Sequence, residues 1–286
     1  MIVKLTIIGL FIILFIALFR RWTDYMVYFP QKVKDSYSTT PDMRGMEYED
    51  LWFQSGKEKI HAWLIKSSVG DRIDRSDRSE RSEEVPIILF FHGNAGHLAY
   101  RLELIAKLRI TRAHILIVSY RGFGLSSGKT TEKSAYQDGE TVIDFVLKDE
   151  KLKNCPIILF GRSLGGGIAV ELAKRYKERI SGLVLEATFT SISDIVWLHY
   201  KIPFSSFLMR SNFNNMKKIR SISTPTLFIH GTKDDVIPFE MSEKLYDQSP
   251  SKVKNLLKVE GGKHEDQYAV AGEAYVVTWV DFINKC

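Results

Sequence analysis

The chain has 286 residues, 45% of them hydrophobic and 26% charged, which is enough to bury one large core and excludes a disordered or fibrous polymer. Its net charge of +6 comes from 40 Lys and Arg scattered among 34 Asp and Glu, a balance that argues against nucleic acid as a partner and for a weak attraction to anionic membrane surfaces. Two cysteines, Cys155 and Cys286, supply neither a disulfide framework nor a metal-ligand spacing, and no cofactor is expected.

Residues 1–22 read as a transmembrane signal-anchor. Leu5 to Phe19 is an uncharged apolar run, extended across Lys4 by Met1 to Val3 and closed by Arg20, Arg21 and Trp22. That is about the minimum length for crossing the hydrocarbon core as a helix. The stretch Ala17-Leu18-Phe19-Arg20-Arg21 offers no small-residue cleavage pattern, so the segment is expected to be retained. Arg20, Arg21, Lys32 and Lys34 outweigh Lys4 and the amino terminus, which predicts a single-pass protein with a cytosolic globular part.

Residues 23–45 read as a juxtamembrane linker, with interfacial aromatics from Tyr25 to Phe29 and an irregular stretch after them. The globular domain is expected over 46–286. Tyr48 to Phe53 and Lys59 to Lys66 alternate apolar and polar residues around Ser55-Gly56, the pattern of a β-hairpin at a sheet edge. Residues 67–84 are almost free of apolar side chains and predict a charged surface loop. Continuous apolar runs follow at Ile87 to Phe91, His114 to Ser119, Ile157 to Phe160, Leu183 to Leu185, Thr226 to Ile229 and Leu256 to Val259. Amphipathic stretches accompany them at Leu164 to Lys177, Glu240 to Asp247 and Tyr268 to Asn284. Repeated βα units of this kind predict an α/β fold with a mostly parallel sheet and helices on both faces. Chemistry in such sheets gathers beyond the carboxyl ends of the strands.

Gly161-Arg162-Ser163-Leu164-Gly165 fits G-x-S-x-G, directly after one predicted strand and opening a predicted helix. This is the setting of a nucleophile elbow, where small residues allow a sharp strand-to-helix turn and hold the serine exposed. Serine is a poor nucleophile at neutral pH, so a base must take its proton and an acid must orient that base. His264, in Gly261-Gly262-Lys263-His264, and Asp234, in His230-Gly231-Thr232-Lys233-Asp234, follow the last two predicted strands. Asp235 is an adjacent rival for the acid and Glu186 a remote one. The order Ser163, Asp234, His264 is that of α/β-hydrolases. The turn His92-Gly93-Asn94-Ala95-Gly96 can aim the N–H of Asn94 at the point faced by the N–H of Leu164, forming an oxyanion hole. His92, His230, His97 and His61 read as structural, and Tyr120 to Ser126 as a packed loop.

Residues 187–224 exceed a simple connection and predict a small cap over the serine. Its Phe189, Trp197, Tyr200, Phe204, Phe207, Leu208, Met209 and Phe213 either fill the cap's own core or line an acyl-chain pocket. Lys201, Arg210, Lys217 and Lys218 are placed to hold the cap near lipid head groups.

With Phe91-His92-Gly93-Asn94-Ala95-Gly96, Tyr120 to Gly128, Phe160 to Gly166, His230 to Pro238 and Gly262 to Asp266 in hand, the chain resembles the bem46-like α/β-hydrolases, the group of α/β-hydrolase domain-containing protein 13. The resemblance spans about residues 40 to 284. It implies an α/β-hydrolase fold and hydrolysis of acyl esters or thioesters, protein depalmitoylation or lipid ester hydrolysis among them, at a membrane bilayer. By that resemblance Ser163, Asp234 and His264 match the triad, and Asn94 and Leu164 the oxyanion positions. The amino terminus lacks the cysteine cluster of the depalmitoylating branch, residues 67–84 look like a local insertion, and the type II orientation assigned to the group opposes the charge balance above. Competing readings are a catalytically silent scaffold that binds a lipid or partner protein, and a peptidase of the same fold.

Overall fold

Helix α1 (Ile2–Val27) in the computed structural model runs five residues beyond the expected anchor. The reason is packing: Phe19, Thr23 and Val27, four residues apart on one helical face, are all buried against the globular part. Its stretch Thr6–Val27 is long and apolar enough to cross a membrane. The structure describes residues 2–67 and 85–286, so the predicted charged loop lies, apart from Ser67, outside the described residues.

The expected linker is also laid onto the domain instead of standing free. Phe29–Pro30 pairs in parallel with Ala95–Gly96, and the Phe29 amide donates to the Asn94 carbonyl at 3.0 Å. Val33 N–H then donates to Gly124 O, and Gly124 N–H to Gln31 O. Backbone groups that would otherwise need water are satisfied by the loops of the core.

The hairpin is β1 (Tyr48–Ser55) and β2 (Glu58–Ile65). After it come β3 (Ile87–Phe91), α2 (Leu102–Leu108), β4 (His114–Ser119), α3 (Glu132–Lys148), β5 (Ile157–Arg162), α4 (Leu164–Arg175) and β6 (Gly182–Glu186). The insertion carries α5 (Ile192–Tyr200), α6 (Ser205–Leu208) and α7 (Asn215–Ile219). The chain closes with β7 (Thr226–Gly231), α8 (Phe239–Gln248), β8 (Lys254–Val259), α9 (Gln267–Val270) and α10 (Glu273–Ile283). The predicted helix over 268–284 is thus broken, at Gly272 with φ +55°.

These strands form one sheet in the order β8-β7-β6-β5-β3-β4-β2-β1, with β2 antiparallel to both neighbours and the other pairings parallel. Both faces are covered, which explains why the central strands read as unbroken apolar runs. In β3, Ile87, Leu89 and Phe91 join the core under α3, α4 and the insertion. Ile88 and Phe90 face the opposite core, built with Leu102, Ile105, Tyr275 and Trp279 from α2 and α10.

The turn from β5 into α4 is the tightest point of this packing. A Cβ on Gly165 would overlap the Phe91 carbonyl oxygen, a backbone atom that cannot swing aside. Gly165→Ala should therefore cost about 3 kcal/mol or more, read as a lowered thermal unfolding midpoint, whereas Gly9→Ala, which meets nothing within 4 Å, should leave the midpoint unchanged.

Candidate active site

Three loops, after β5, β7 and β8, converge beyond the carboxyl ends of the strands. Ser163 occupies the elbow with φ +53° and ψ −119°. Its N–H donates to Glu186 O at 2.8 Å and its carbonyl accepts from Gly166 N–H at 2.9 Å, so the unusual backbone is held from both sides. The Ser163 hydroxyl lies 3.0 Å from His264 Nε2, and His264 Nδ1 lies 2.7 Å from Asp234 Oδ2. A carboxylate only accepts, so Nδ1 carries the proton and Nε2 presents its lone pair to the serine.

Asp234 is gripped on all sides. Its Oδ1 accepts from the amides of Val236 and Ile237 at 2.9 and 2.8 Å, and His230 Nε2 approaches Oδ2 at 3.2 Å. Burial would raise its pKa, but the hydrogen bonds from His230, His264 and Ile237 override that and hold it well below the usual carboxylate range. Lys233 N–H donates to Gly262 O, tying the acid loop to the histidine loop. The rival Asp235 is exposed. The other rival, Glu186, is buried and engaged by Arg162 Nε at 2.8 Å and the Tyr275 hydroxyl at 2.5 Å.

Gly93 packs against Ser163, its Cβ position 3.4 Å from the serine Cβ. That contact brings Asn94 beside the elbow, while Leu164 opens α4, whose amino-terminal dipole end faces the same place. The expected structural histidines are all buried: His92 stacks on Tyr120 with ring centroids 4.4 Å apart, and burial lowers its pKa to about 3. His230 donates from Nε2 to Ile237 O at 2.7 Å and braces the Asp234 loop.

The insertion's aromatics divide into two sets. Phe189 and Phe213 are buried over α4 as core, whereas Trp197, Tyr200, Phe204 and Phe207 point out to solvent. They do not form a single acyl-binding stripe. Lys218 is not free for lipid either, because its ammonium sits 2.7 Å from Glu171 and 2.5 Å from the Tyr136 hydroxyl.

Sequence reasoning passed over Arg162, the second residue of the elbow motif. Its guanidinium binds Glu186 through Nε, Glu265 through Nη1 at 3.0 Å and the His264 carbonyl through Nη2 at 2.9 Å. A nearly invisible signal existed, since Arg is costly to bury without carboxylate partners, and Glu186 ends β6 while Glu265 follows His264 in the loop after β8.

The profile of the serine aminopeptidase S33 family of hydrolases matches residues 82–219 and 206–267. The chain belongs to this family. Over 289 residues it is 31% identical to the α/β-hydrolase domain-containing protein WAV2 of Arabidopsis thaliana, covering 94% of this chain and 90% of that one. It is 27% identical to protein bem46 of Schizosaccharomyces pombe, covering 95% of this chain and 88% of that one. Pyrococcus furiosus esterase Pf2001 superposes with a TM-score of 0.70 at 19% identity, over 90% of this chain and 98% of the esterase. The protein is accordingly a bem46-like α/β-hydrolase.

Three variants test the architecture of the site. Arg162→Met leaves Glu186 buried without its cation and should cost about 3–5 kcal/mol of stability. Adding Glu186→Leu should restore the unfolding midpoint, yet reaction of Ser163 with a fluorophosphonate should stay about tenfold or more slower than in the unaltered protein, because the His264 carbonyl has lost its tether. A chain starting at Pro41 lacks the bond from Phe29 to Asn94, and should react about tenfold more slowly than one starting at Thr23.

Proposed function

We propose that the protein is a membrane-anchored serine hydrolase that cleaves acyl esters or thioesters through an acyl-enzyme on Ser163. The observation that carries this reading is the unbroken relay from Ser163 Oγ through His264 to Asp234, at 3.0 and 2.7 Å. Ser163 Oγ attacks the substrate carbonyl carbon while His264 Nε2 takes its proton. Charge developing on the carbonyl oxygen is met by the amides of Asn94 and Leu164. Collapse of the tetrahedral intermediate expels the alcohol or thiol, which receives the proton from His264. Water, deprotonated by the same nitrogen, then attacks the acyl-enzyme and regenerates the serine. Asp234 keeps Nδ1 protonated and stabilises the imidazolium during each transfer. No cofactor or metal enters any step.

Helix α1 serves as a single-pass anchor, residues 1–22 as its membrane segment, and the excess of Arg and Lys after it favours a cytosolic catalytic domain over 46–286. Membrane lipids and S-acylated proteins are the substrate classes such a tether brings close. The family description favours peptides as a second reading. Glu186 and Glu265, the carboxylates beside the site that a peptide's α-amino group would seek, are both engaged by Arg162, which supports esters instead.

A fluorophosphonate probe should label the full chain, and Ser163→Ala should abolish the label; labelling that survives the substitution removes the assignment. Asp234→Asn should lower hydrolysis of a chromogenic ester by about 10³–10⁴-fold, with Asp235→Asn unaffected. Rates on amino-acyl amides exceeding those on fatty-acyl esters would favour the peptidase.

A further inference from the structure

The length of α1 fixes where the membrane surface meets the domain. Lys4 is the last charge before Arg20, so it marks one polar boundary of the span. About 20 helical residues cross the hydrocarbon core, which puts the other boundary in the turn that starts with Arg20, Arg21 and Trp22. At that level α1 is docked on the insertion. Arg20 Nε donates to Leu208 O at 3.0 Å, and the Trp22 ring meets Tyr200 edge-on with centroids 5.1 Å apart. Arg210 Nη1 lies 3.7 Å from Asp24, and the Tyr28 hydroxyl donates to Ser211 Oγ at 2.8 Å. Helices α5 and α6 are therefore held at the depth where the hydrocarbon ends.

At that depth the insertion turns its large apolar side chains outward. Phe204 is 76% exposed, Phe207 80% and Trp197 53%, although the same insertion buries Phe189 and Phe213 almost completely. Lys201 and Phe204 both adopt left-handed backbone, φ +54° and +55°, a cost that non-glycine residues do not normally bear for an exposed aromatic. Lys201 supplies an exposed cation beside these rings, its ammonium 6.0 Å from the Trp197 ring, and Arg21 is an exposed cation on α1. Aromatic rings flanked by cations are the side chains that partition into a bilayer interface.

We propose that Trp197, Phe204 and Phe207 form a second membrane-seated surface, in the interface of the leaflet from which α1 emerges, through which acyl substrates are taken from that leaflet. The substrate half of this proposal rests on the hydrolase reading above; the depth half does not. Helix α5, which carries Trp197, also touches the acid loop: His199 Nε2 donates to the Val236 carbonyl at 3.0 Å, two residues from Asp234.

The test uses the full chain in phosphatidylcholine vesicles, with Phe207→Cys in a Cys155→Ser, Cys286→Ser background carrying a bimane label. Val277→Cys on α10, across the sheet from the insertion, is the control. The label at 207 should be quenched by doxyl-labelled phosphatidylcholine and protected from aqueous iodide, and the control should show the reverse. Quenching by iodide at 207 overturns the proposal, as does protection from both quenchers, which would mean a protein covers the patch. In the second arm, Phe204→Ser with Phe207→Ser should lose about tenfold in kcat/KM on a long-chain ester embedded in the vesicles and stay within about twofold on a water-soluble acetyl ester. Equal loss on both esters overturns the delivery role. The depth measurement needs no turnover, so a protein that cleaves neither ester would remove the hydrolase reading alone.

Discussion

The backbone at Ser163 is held at φ +53° and ψ −119°, outside the regions an L-residue populates freely, at a cost of about 1–3 kcal/mol. That strain is sustained because β5, α4 and the end of β3 approach too closely to accept another geometry. Gly161 lies against Gly166, and Gly165 against the carbonyl of Phe91. The turn thereby lifts the serine side chain above the sheet while directing the start of α4 toward it. The histidine loop, the acid loop and the Asn94 turn are all arranged around a side chain that this one constraint has already fixed.

Around the serine, charge is handled by pairing. Arg162 is buried, and burial alone would weaken its charged form, but Glu186 and Glu265 reverse that and raise its pKa. With one guanidinium spanning β6, the loop after β8 and its own strand, the site becomes a cross-linked set of loops. Asp234 follows the same logic with His230 and two amides in place of a cation. Polar networks satisfied to this extent do not reorganise cheaply, so Ser163, His264 and Asp234 are held in fixed relative positions.

The amino-terminal segment is part of this construction. Leaving α1, the chain contacts the insertion, then the Asn94 turn and then the Gly124 loop. The structure therefore joins the apolar helix α1 to two sides of the site by backbone and side-chain bonds, with no slack tether between them. A rigid connection makes α1 and the domain move as one body, whereas a flexible linker would only limit the distance between them.

The sequence by itself determined the parts that depend on near neighbours. Unbroken apolar runs such as Ile87 to Phe91 and His114 to Ser119 marked buried parallel strands to the residue. Alternation around Ser55-Gly56 marked the edge hairpin, and glycines flanking Ser163 marked the elbow. Only the tertiary structure decided the rest, because those features depend on partners far along the chain. Asp234 and Asp235 are alike as residues, and what separates them is that one faces His264, thirty positions later. The docking of Arg20 depends on Leu208, 188 positions away, the role of Arg162 on His264, 102 away, and the fate of Lys218 on Glu171. Which of the insertion's aromatics are core and which are surface follows from where α4 and α1 lie beneath them. Local patterning encodes which segments are buried and extended, but a side chain's partner is set by the packing of whole elements, and no spacing along the chain records it.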